Sequence, residues 1–239
     1  SLFIMPTLFL FLNLLFLIQP VFQISGNDTF MMYNENLDLC LKLQESRSFT
    51  FDICNKFNEW QNFKWVSDYQ LLNMAVKLCL SVPSKSNMVP VTLSPCNETI
   101  ELQKWECRND TLFALAKQDL FLNPANGHEN GVILSENLST KSVWKIYETK
   151  KSLCDQKYEA LFTIEGNALG APCVFPFKYM NKWHAKCIVD DDEHKRFWCG
   201  TTPDVDKDSL TGYCPVKGKV LSGKVLFIST TPLLFLQTT

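Results

Sequence analysis

The stretch Gln103-Lys104-Trp105 decides the fold of the first part of this chain, because its tryptophan belongs to a regular series. Trp65 precedes it and Trp144 follows it, each about 40 residues away, and a period of this length is typical of a protein built from structural repeats. The residues before these two tryptophans, Phe63-Lys64 and Ser142-Val143, lack the glutamine of the central unit. The series therefore predicts three repeats, each with one tryptophan.

A short apolar run recurs with a similar period, as Leu39-Cys40-Leu41, Leu78-Cys79-Leu80 and Leu120-Phe121-Leu122. Turn-forming residues such as Pro83-Ser84 bound these runs, which disfavours an array of helices. A propeller usually needs at least four blades. Three copies of a four-strand unit therefore predict a β-trefoil, with the tryptophans in its core rather than serving as ligand platforms.

The ten cysteines form two blocks of even number, so that each block can close on itself. The blocks are Cys40, Cys54, Cys79, Cys96, Cys107, Cys154, and then Cys173, Cys187, Cys199, Cys214. Disulfides in an oxidising compartment explain them better than free or zinc-bound thiols, since no C-x-x-C pair occurs. Fifteen pairings are open to the first block. The repeat favours Cys40–Cys54 and Cys79–Cys96, which leaves Cys107 for Cys154.

An apolar segment, Leu2 to Val21, precedes the first cysteine, and we expect residues 1–26 to be a signal peptide rather than a retained signal anchor. Four N-x-S/T sequons follow, at Asn27, Asn97, Asn109 and Asn137, and each predicts a glycosylated, exposed loop. These features predict the secretory pathway and an extracellular or cell-surface location. Contact with a membrane is expected only through elements outside this chain.

Composition argues against several classes of function. The net charge of −2 gives no basic field for nucleic acid. No nucleophile elbow and no H-E-x-x-H motif occurs, so we expect no enzyme activity. The acidic run from Asp190 to Glu193 lacks the pattern of a calcium loop and is expected to be a solvated loop. We expect no cofactor and no metal.

The first block resembles the ricin-type cysteine-rich domain of the macrophage mannose receptor family. Matching stretches include Phe63-Lys64-Trp65-Val66-Ser67, Val76-Lys77-Leu78-Cys79-Leu80, Gln103-Lys104-Trp105-Glu106-Cys107 and Trp144-Lys145-Ile146-Tyr147. The resemblance implies a trefoil over residues 27–157 that binds 4-sulfated N-acetylgalactosamine through its third repeat. In that site Asn126 matches the family's asparagine, His128 replaces its glutamine, and Lys141 replaces its stacking tryptophan. Lys141 could instead offer its charge to the sulfate.

The second block resembles a fibronectin type II module over residues 158–216, by Cys173-Val174-Phe175-Pro176-Phe177, Phe197-Trp198-Cys199-Gly200-Thr201-Thr202 and Gly212-Tyr213-Cys214. The resemblance implies disulfides from Cys173 to Cys199 and from Cys187 to Cys214, and binding of denatured collagen. The implied wall of the collagen site is aromatic: Phe177, Tyr179, Trp183, Trp198 and Tyr213. The chain departs from the family at His184 and Val205, where tyrosine is usual, and at the acidic run.

Residues 217–239 resemble no domain and are expected to be an atypical, disordered tail. The sequence as a whole predicts the ligand-binding region of a mannose-receptor-like endocytic receptor, with collagen or gelatin and sulfated glycans as its partners. Two alternatives remain open. The chain could be a soluble, truncated decoy, or the carbohydrate-binding accessory region of a secreted enzyme.

Overall fold

The computed structural model describes residues 28–109, 111–125, 131–149, 151–189 and 195–215. The predicted signal peptide, Asn27, Asn126, His128, the acidic run 190–193 and the tail 217–239 lie outside the described residues. No described helix is long and apolar enough to cross a membrane.

In the part of the first module that the structure describes there are twelve short strands, four in each of three repeats. The first repeat contains β1 (Phe30–Asn34), β2 (Leu39–Leu43), β3 (Phe49–Asp52) and β4 (Asn62–Trp65). The second contains β5 (Leu71–Asn73), β6 (Leu78–Ser81), β7 (Thr92–Ser94) and β8 (Trp105–Arg108). The third contains β9 (Leu112–Leu115), β10 (Phe121–Pro124), β11 (Val132–Ser135) and β12 (Lys145–Ile146). The predicted threefold, four-strand unit is confirmed.

The first and fourth strands of the repeats close a barrel. Strand β1 pairs with both β4 and β12, β4 pairs with β5, and β8 pairs with β9. Two contacts complete the ring: the Trp105 N–H donates to the Tyr69 carbonyl at 2.9 Å, and Leu112 bridges to Val143. The remaining strands form the hairpins β2–β3, β6–β7 and β10–β11. This closed barrel with three hairpins is a β-trefoil.

Residues at equivalent positions of the three repeats fill the core of the trefoil. The central leucines of the apolar runs, Leu41, Leu80 and Leu122, are all completely buried. Trp105 and Trp144 are completely buried beside them, and their indole N–H groups donate to the carbonyls of Leu80 and Leu122 at 3.0 and 2.9 Å. Two tryptophans therefore satisfy their polar atom on the backbone of the leucine in their own repeat.

Trp65 does not occupy the position equivalent to these two tryptophans. Phe63 pairs with Asn73 as Trp105 pairs with Leu115, so the residue equivalent to Trp105 is the buried Phe63. Accordingly, the indole N–H of Trp65 is buried without a hydrogen-bond acceptor. The sequence-based alignment of Trp65 with Trp105 was therefore wrong by two residues in the first repeat. Successive side chains on a strand alternate, so residues two apart share a face and Trp65 still points into the core.

The glutamine of the first repeat is Gln61, which the sequence analysis did not assign. Its side chain donates to the Ile53 carbonyl at 2.9 Å and accepts from the Asn55 N–H at 2.7 Å. Gln103 makes the same pair of bonds, to the Pro95 carbonyl and from the Asn97 N–H. The first repeat thus contains the unit Q-x-F, while the buried Ser142 takes the glutamine's place in the third repeat.

Five disulfides join Cys40 to Cys54, Cys79 to Cys96, Cys107 to Cys154, Cys173 to Cys199 and Cys187 to Cys214. These are the pairs that the repeat and the family resemblance suggested. The Sγ atoms of Cys173, Cys187 and Cys214 lie within 4.8 Å of one another. Because each of them is bonded in a disulfide, they are not thiolate ligands for a metal.

The described residues of the second module form two small sheets and one short helix. Strands β13 (Phe177–Tyr179) and β14 (Lys182–His184) form a hairpin. Strands β15 (Ile188–Val189), β16 (Phe197–Gly200) and β17 (Thr211–Tyr213) form a three-stranded sheet, and helix α1 (Val205–Asp208) lies between β16 and β17 in the chain. Its small core consists of Cys173, Phe177, Cys199, Val205 and Cys214, so the two disulfides form much of it.

A buried lysine joins the two modules. Lys64 on β4 points away from the barrel, and its side chain is only 8% exposed. Its ammonium lies 2.8 Å from a carboxylate oxygen of Asp28, donates to the Ala185 carbonyl at 3.3 Å, and lies 4.3 Å from the centre of the Phe175 ring. Around it, Ala185 packs with buried apolar residues of the trefoil: Val66, Leu72, Met74 and Cys79. A buried charge is tolerated when it is paired in this way.

Candidate ligand-binding cleft of the second module

The second module contains an open cleft of about 610 Å³. Among the described residues, those that line it are Gly166, Asn167, Tyr179, Trp198, Val205, Asp206, Ser209, Thr211, Gly212 and Tyr213. This set combines three aromatic residues with glycines and small polar residues. A concave site with apolar walls and a few polar groups is the usual form of a site for a small ligand or an extended peptide.

Three strands bring the aromatic wall together. Tyr179 ends β13, Trp198 lies on β16 and Tyr213 lies on β17, where Trp198 and Tyr213 are direct cross-strand partners. The rings of Tyr179 and Trp198 meet edge to face, with centroids 4.8 Å apart and an interplanar angle of 85°. All three residues are partly buried, so each has one surface in the core and another towards solvent.

Two further residues of the predicted wall do not line the cleft. Phe177 is completely buried, and its ring packs beneath Trp198 with centroids 5.7 Å apart. Trp183 is 48% exposed, but it pairs with Lys178 across the hairpin. Because side chains alternate along a strand, Trp183 lies on the opposite face of the hairpin from Tyr179. The structure therefore brings together Tyr179, Trp198 and Tyr213 only.

An arginine holds Tyr213 in its orientation. The guanidinium carbon of Arg196 lies 3.6 Å from the centre of the Tyr213 ring, and its Nη2 donates to the tyrosine hydroxyl at 2.7 Å. The same guanidinium forms an ion pair with Glu165 at 3.0 Å. One face of Tyr213 is thus covered by a fixed planar group, as cation–π stacking favours.

Asp206 brings a negative charge to the cleft and also fixes the tip of the hairpin. Its two carboxylate oxygens accept hydrogen bonds from the backbone N–H groups of Met180 and Asn181, at 2.7 and 2.9 Å. Both of these tip residues have positive φ angles, 48° and 59°. The bond from Asn181 is the main cause that lowers the pKa of Asp206, with smaller contributions from the Met180 N–H, Lys178 and His184. The carboxylate therefore stays ionised into mildly acidic solution.

The two family departures that lie within the described residues belong to the supports of the cleft. The His184 ring stacks on Phe177 with centroids 5.3 Å apart and keeps an aromatic group in that position. Val205 is 5% exposed and packs in the small core beside Phe177, where it forms part of the floor of the cleft. Of these two residues, only Val205 lines the cleft.

One rim of the cleft is an extended segment that runs antiparallel to β17. The Ile164 N–H donates to the Tyr213 carbonyl at 3.0 Å, and the Asn167 N–H donates to the Thr211 carbonyl at 3.2 Å. Between these bonds, Gly166 has a φ of +110° and bridges to Gly212. A Cβ atom at Gly166 would overlap the Thr211 carbonyl oxygen and come within 2.6 Å of the Gly212 Cα. Only glycine allows this close approach of two backbones.

Replacing Gly166 with alanine is expected to destabilise the module and weaken ligand binding at the cleft. The matched change is Gly170→Ala, where φ is +79° but the nearest atom lies 3.7 Å from the new Cβ. Both variants carry strain from the positive φ, and only Gly166→Ala also forces backbone apart. We expect it to cost about 1–3 kcal/mol more than Gly170→Ala in the free energy of unfolding. Equal losses in denaturant titrations of the two variants would show that the close approach is unimportant.

The structure describes only part of the predicted glycan site and sequons. Lys141 is exposed on a 3-10 helix, Thr140–Ser142, whose N-terminus is capped by Ser139. Asn126 and His128 lie outside the described residues, so the sulfated-glycan site stays a prediction. Asn97, Asn109 and Asn137 are all exposed, as glycan acceptors must be, and their glycosylation also stays a prediction.

Sequence reasoning missed Asp206 and the rim formed by Gly166 and Asn167. Asp206 follows the Thr201-Thr202 pair closely in the chain, but its two backbone partners lie some 25 residues earlier. The rim pairs residues more than 40 positions apart, and no local pattern signals such a pairing. The glycine at position 166, next to a polar residue, was the one signal that could have pointed to a close backbone approach.

Two family models match the two modules of this chain. The family model "MRC2-like, N-terminal cysteine-rich domain" matches residues 26–155, and the model "Fibronectin type II domain" matches residues 173–214. Among solved structures, the ricin B-like lectin of Macrolepiota procera in complex with lactose aligns with a TM-score of 0.42 at 13% identity, over 52% of this chain and 97% of that chain.

Two of the three curated relatives considered are receptors by name. C-type mannose receptor 2 of Rattus norvegicus is 31% identical over 80% of this chain, and the secretory phospholipase A2 receptor of Bos taurus is 31% identical over 78%. Lymphocyte antigen 75 of Homo sapiens is 32% identical over 80%. The chain spans only 13%, 12% and 10% of the lengths of these three proteins, none of which is named as an enzyme. With its cysteine-rich β-trefoil followed by a fibronectin type II module, the chain belongs to the mannose receptor family.

Proposed function

We propose that this chain is a ligand-binding region of a mannose-receptor-like endocytic receptor, and that its second module binds collagen or gelatin chains in the cleft. The observation that carries the proposal is the convergence of Tyr179, Trp198 and Tyr213 from three strands on one open cleft. The proposal concerns binding alone and assigns no reaction to the chain.

The form of the cleft suits an extended, proline-rich chain. Such a chain adopts the polyproline II conformation, has no internal hydrogen bonds and leaves its backbone groups free. Proline rings pack well on flat aromatic faces, and the edge-to-face pair of Tyr179 and Trp198 offers two surfaces at nearly a right angle. At the polar rim, the Asn167 side chain bonds the backbone of Ser209 and Thr211, and the hydroxyl groups of Ser209 and Thr211 are available to bond the exposed backbone of such a chain.

The direct test is retention of the full chain, with its disulfides formed, on immobilised gelatin. We expect retention at physiological salt and elution by a soluble proline-rich peptide, because the peptide would occupy the same cleft. A scrambled peptide of equal charge without proline is the control for non-specific displacement. A protein that is folded by circular dichroism but passes through the gelatin column at low salt would overturn the proposal.

A further inference from the structure

Only one of the described residues that line the cleft carries a formal charge. That residue is Asp206, which stands at the first turn of α1 beside the aromatic wall. Glu165, which precedes the rim residue Gly166, is engaged in an ion pair with Arg196, the residue that stacks on Tyr213. The cleft therefore combines flat aromatic faces with a single negative charge.

The Asp206 carboxylate can still accept a ligand. A carboxylate offers about four lone-pair positions, and the two backbone N–H groups of the hairpin tip occupy two of them. The side chain of Asp206 is exposed to solvent at the cleft. Lys178 and His184 lie near enough to influence it electrostatically, but no hydrogen bond or ion pair between either of them and this carboxylate is found among the described residues. The remaining lone-pair positions of the carboxylate are therefore accessible from solvent.

A basic side chain satisfies both features of the cleft at once. A guanidinium or ammonium group is attracted to the faces of tryptophan and tyrosine and also to a carboxylate. Acidic residues outnumber basic ones between residues 158 and 215, so the field of the whole module also favours a cation. Arginine suits the site better than lysine, because its planar group can stack on an aromatic face while it bonds the carboxylate.

We propose that the cleft selects extended proline-rich chains that carry an arginine or lysine next to the proline ring packed on the aromatic wall, with Asp206 as the residue that sets this preference. This inference rests on the proposed function, since it names the class of collagen-like chain that the same cleft prefers. It makes Asp206 a specificity-determining residue in addition to its part in holding the hairpin tip.

The test compares two peptides that differ in charge alone. Each is a short Gly-Pro-Pro repeat, too short to form a triple helix, with either arginine or its neutral isostere citrulline at one position. The dissociation constants are measured with the full chain at low and at high salt. We expect the arginine peptide to bind about threefold to tenfold tighter at low salt. The ratio should fall below about twofold in 1 M salt, where the screening length is about 3 Å.

Two protein variants test whether the charge of Asp206 causes the preference for the arginine peptide. Asp206→Asn is expected to lower the ratio of the two dissociation constants to about twofold, because the carboxylate charge is lost while the aromatic faces and one acceptor oxygen for the hairpin tip are kept. Asp208→Asn removes the same charge from the same helix at a residue outside the lining of the cleft, and should leave the ratio almost unchanged. The comparison of two ligands on one variant is insensitive to a partial loss of folded protein.

Each outcome separates this inference from the proposed function. Equal binding of both peptides by the unmodified chain would overturn the charge preference and leave collagen binding intact. A preference that is undiminished in Asp206→Asn would overturn the role of Asp206. Binding of neither peptide, together with no retention on gelatin, would overturn the proposed function and this inference with it.

Discussion

Trp198→Ala is expected to abolish retention of the protein on gelatin. Trp198 touches both Tyr179 and Phe177 and pairs with Tyr213, so it lies at the centre of the aromatic wall. Central aromatic residues of a binding surface cost at least about 2 kcal/mol when truncated, which corresponds to roughly a 30-fold weaker dissociation constant. The measurement is the dissociation constant for gelatin or a proline-rich peptide, together with the thermal unfolding midpoint of each variant.

Trp183→Ala is the matched control for this prediction. It removes the same side chain from the same module, but Trp183 is 48% exposed and lies on the opposite face of the hairpin. We expect its affinity for gelatin to stay within about twofold of the unmodified chain, since exposed residues outside a contact surface contribute little. If Trp183→Ala lost binding and Trp198→Ala kept it, the ligand would occupy the outer face of the hairpin instead of the cleft.

Trp105→Ala should cause the largest loss of stability among single changes in the trefoil. The residue is completely buried, stacks on Phe113 with centroids 5.1 Å apart, and donates to the Leu80 carbonyl. Truncating a buried tryptophan to alanine costs about 3–5 kcal/mol through lost packing and the cavity left behind. The free energy of unfolding, measured by urea titration with all disulfides intact, should fall by that amount.

Two controls place this number in context. Phe57→Ala removes an aromatic ring that is 85% exposed and should change the free energy of unfolding by less than about 0.5 kcal/mol. Trp65→Phe removes an indole N–H that has no acceptor, so it should cost clearly less than Trp105→Phe, which breaks a bond to the backbone. Equal costs for the two phenylalanine variants would mean that the register assigned to the first repeat is incorrect.

The β-trefoil could be predicted because its apolar runs and tryptophans recur periodically along the chain. The register of the first repeat could not be predicted, because phenylalanine replaces tryptophan at the equivalent position there. The apolar triplets and the series of tryptophans predicted the number of repeats. In the first repeat, however, phenylalanine fills the tryptophan position and a second aromatic residue follows two positions later on the same face of β4. Gln61 precedes Gln103 by one repeat length, and aligning the glutamines instead of the tryptophans would have found the correct register.

For the cleft, the sequence identified the right aromatic residues together with two that face elsewhere. A strand shows alternate side chains to opposite faces, so Phe177 and Tyr179 share a face while Trp183 is turned away from it. The rings of Phe177 and Tyr179 point to the same side, and the sequence does not show which of them is buried. Phe177 is the buried one because it packs against Trp198 and Val205 in the core of the module. Asp206 was not foreseen, because its role arises from contacts with a hairpin tip distant in the chain. The burial of Lys64 could not be foreseen either, since a lysine on the outer face of a barrel strand normally points into water.

The lysine joint between the modules has a consequence for multivalent ligands. Because Lys64 and the apolar residues around it fix the second module on the outside of β4, the cleft and any glycan site on the trefoil would stand at a set distance and angle. A matrix molecule that carries both a collagen-like segment and a sugar could then engage the second site at high effective concentration, but only if its own spacing matches. The contact between the modules would thus select ligands by the spacing of their two binding groups as well as by their local chemistry.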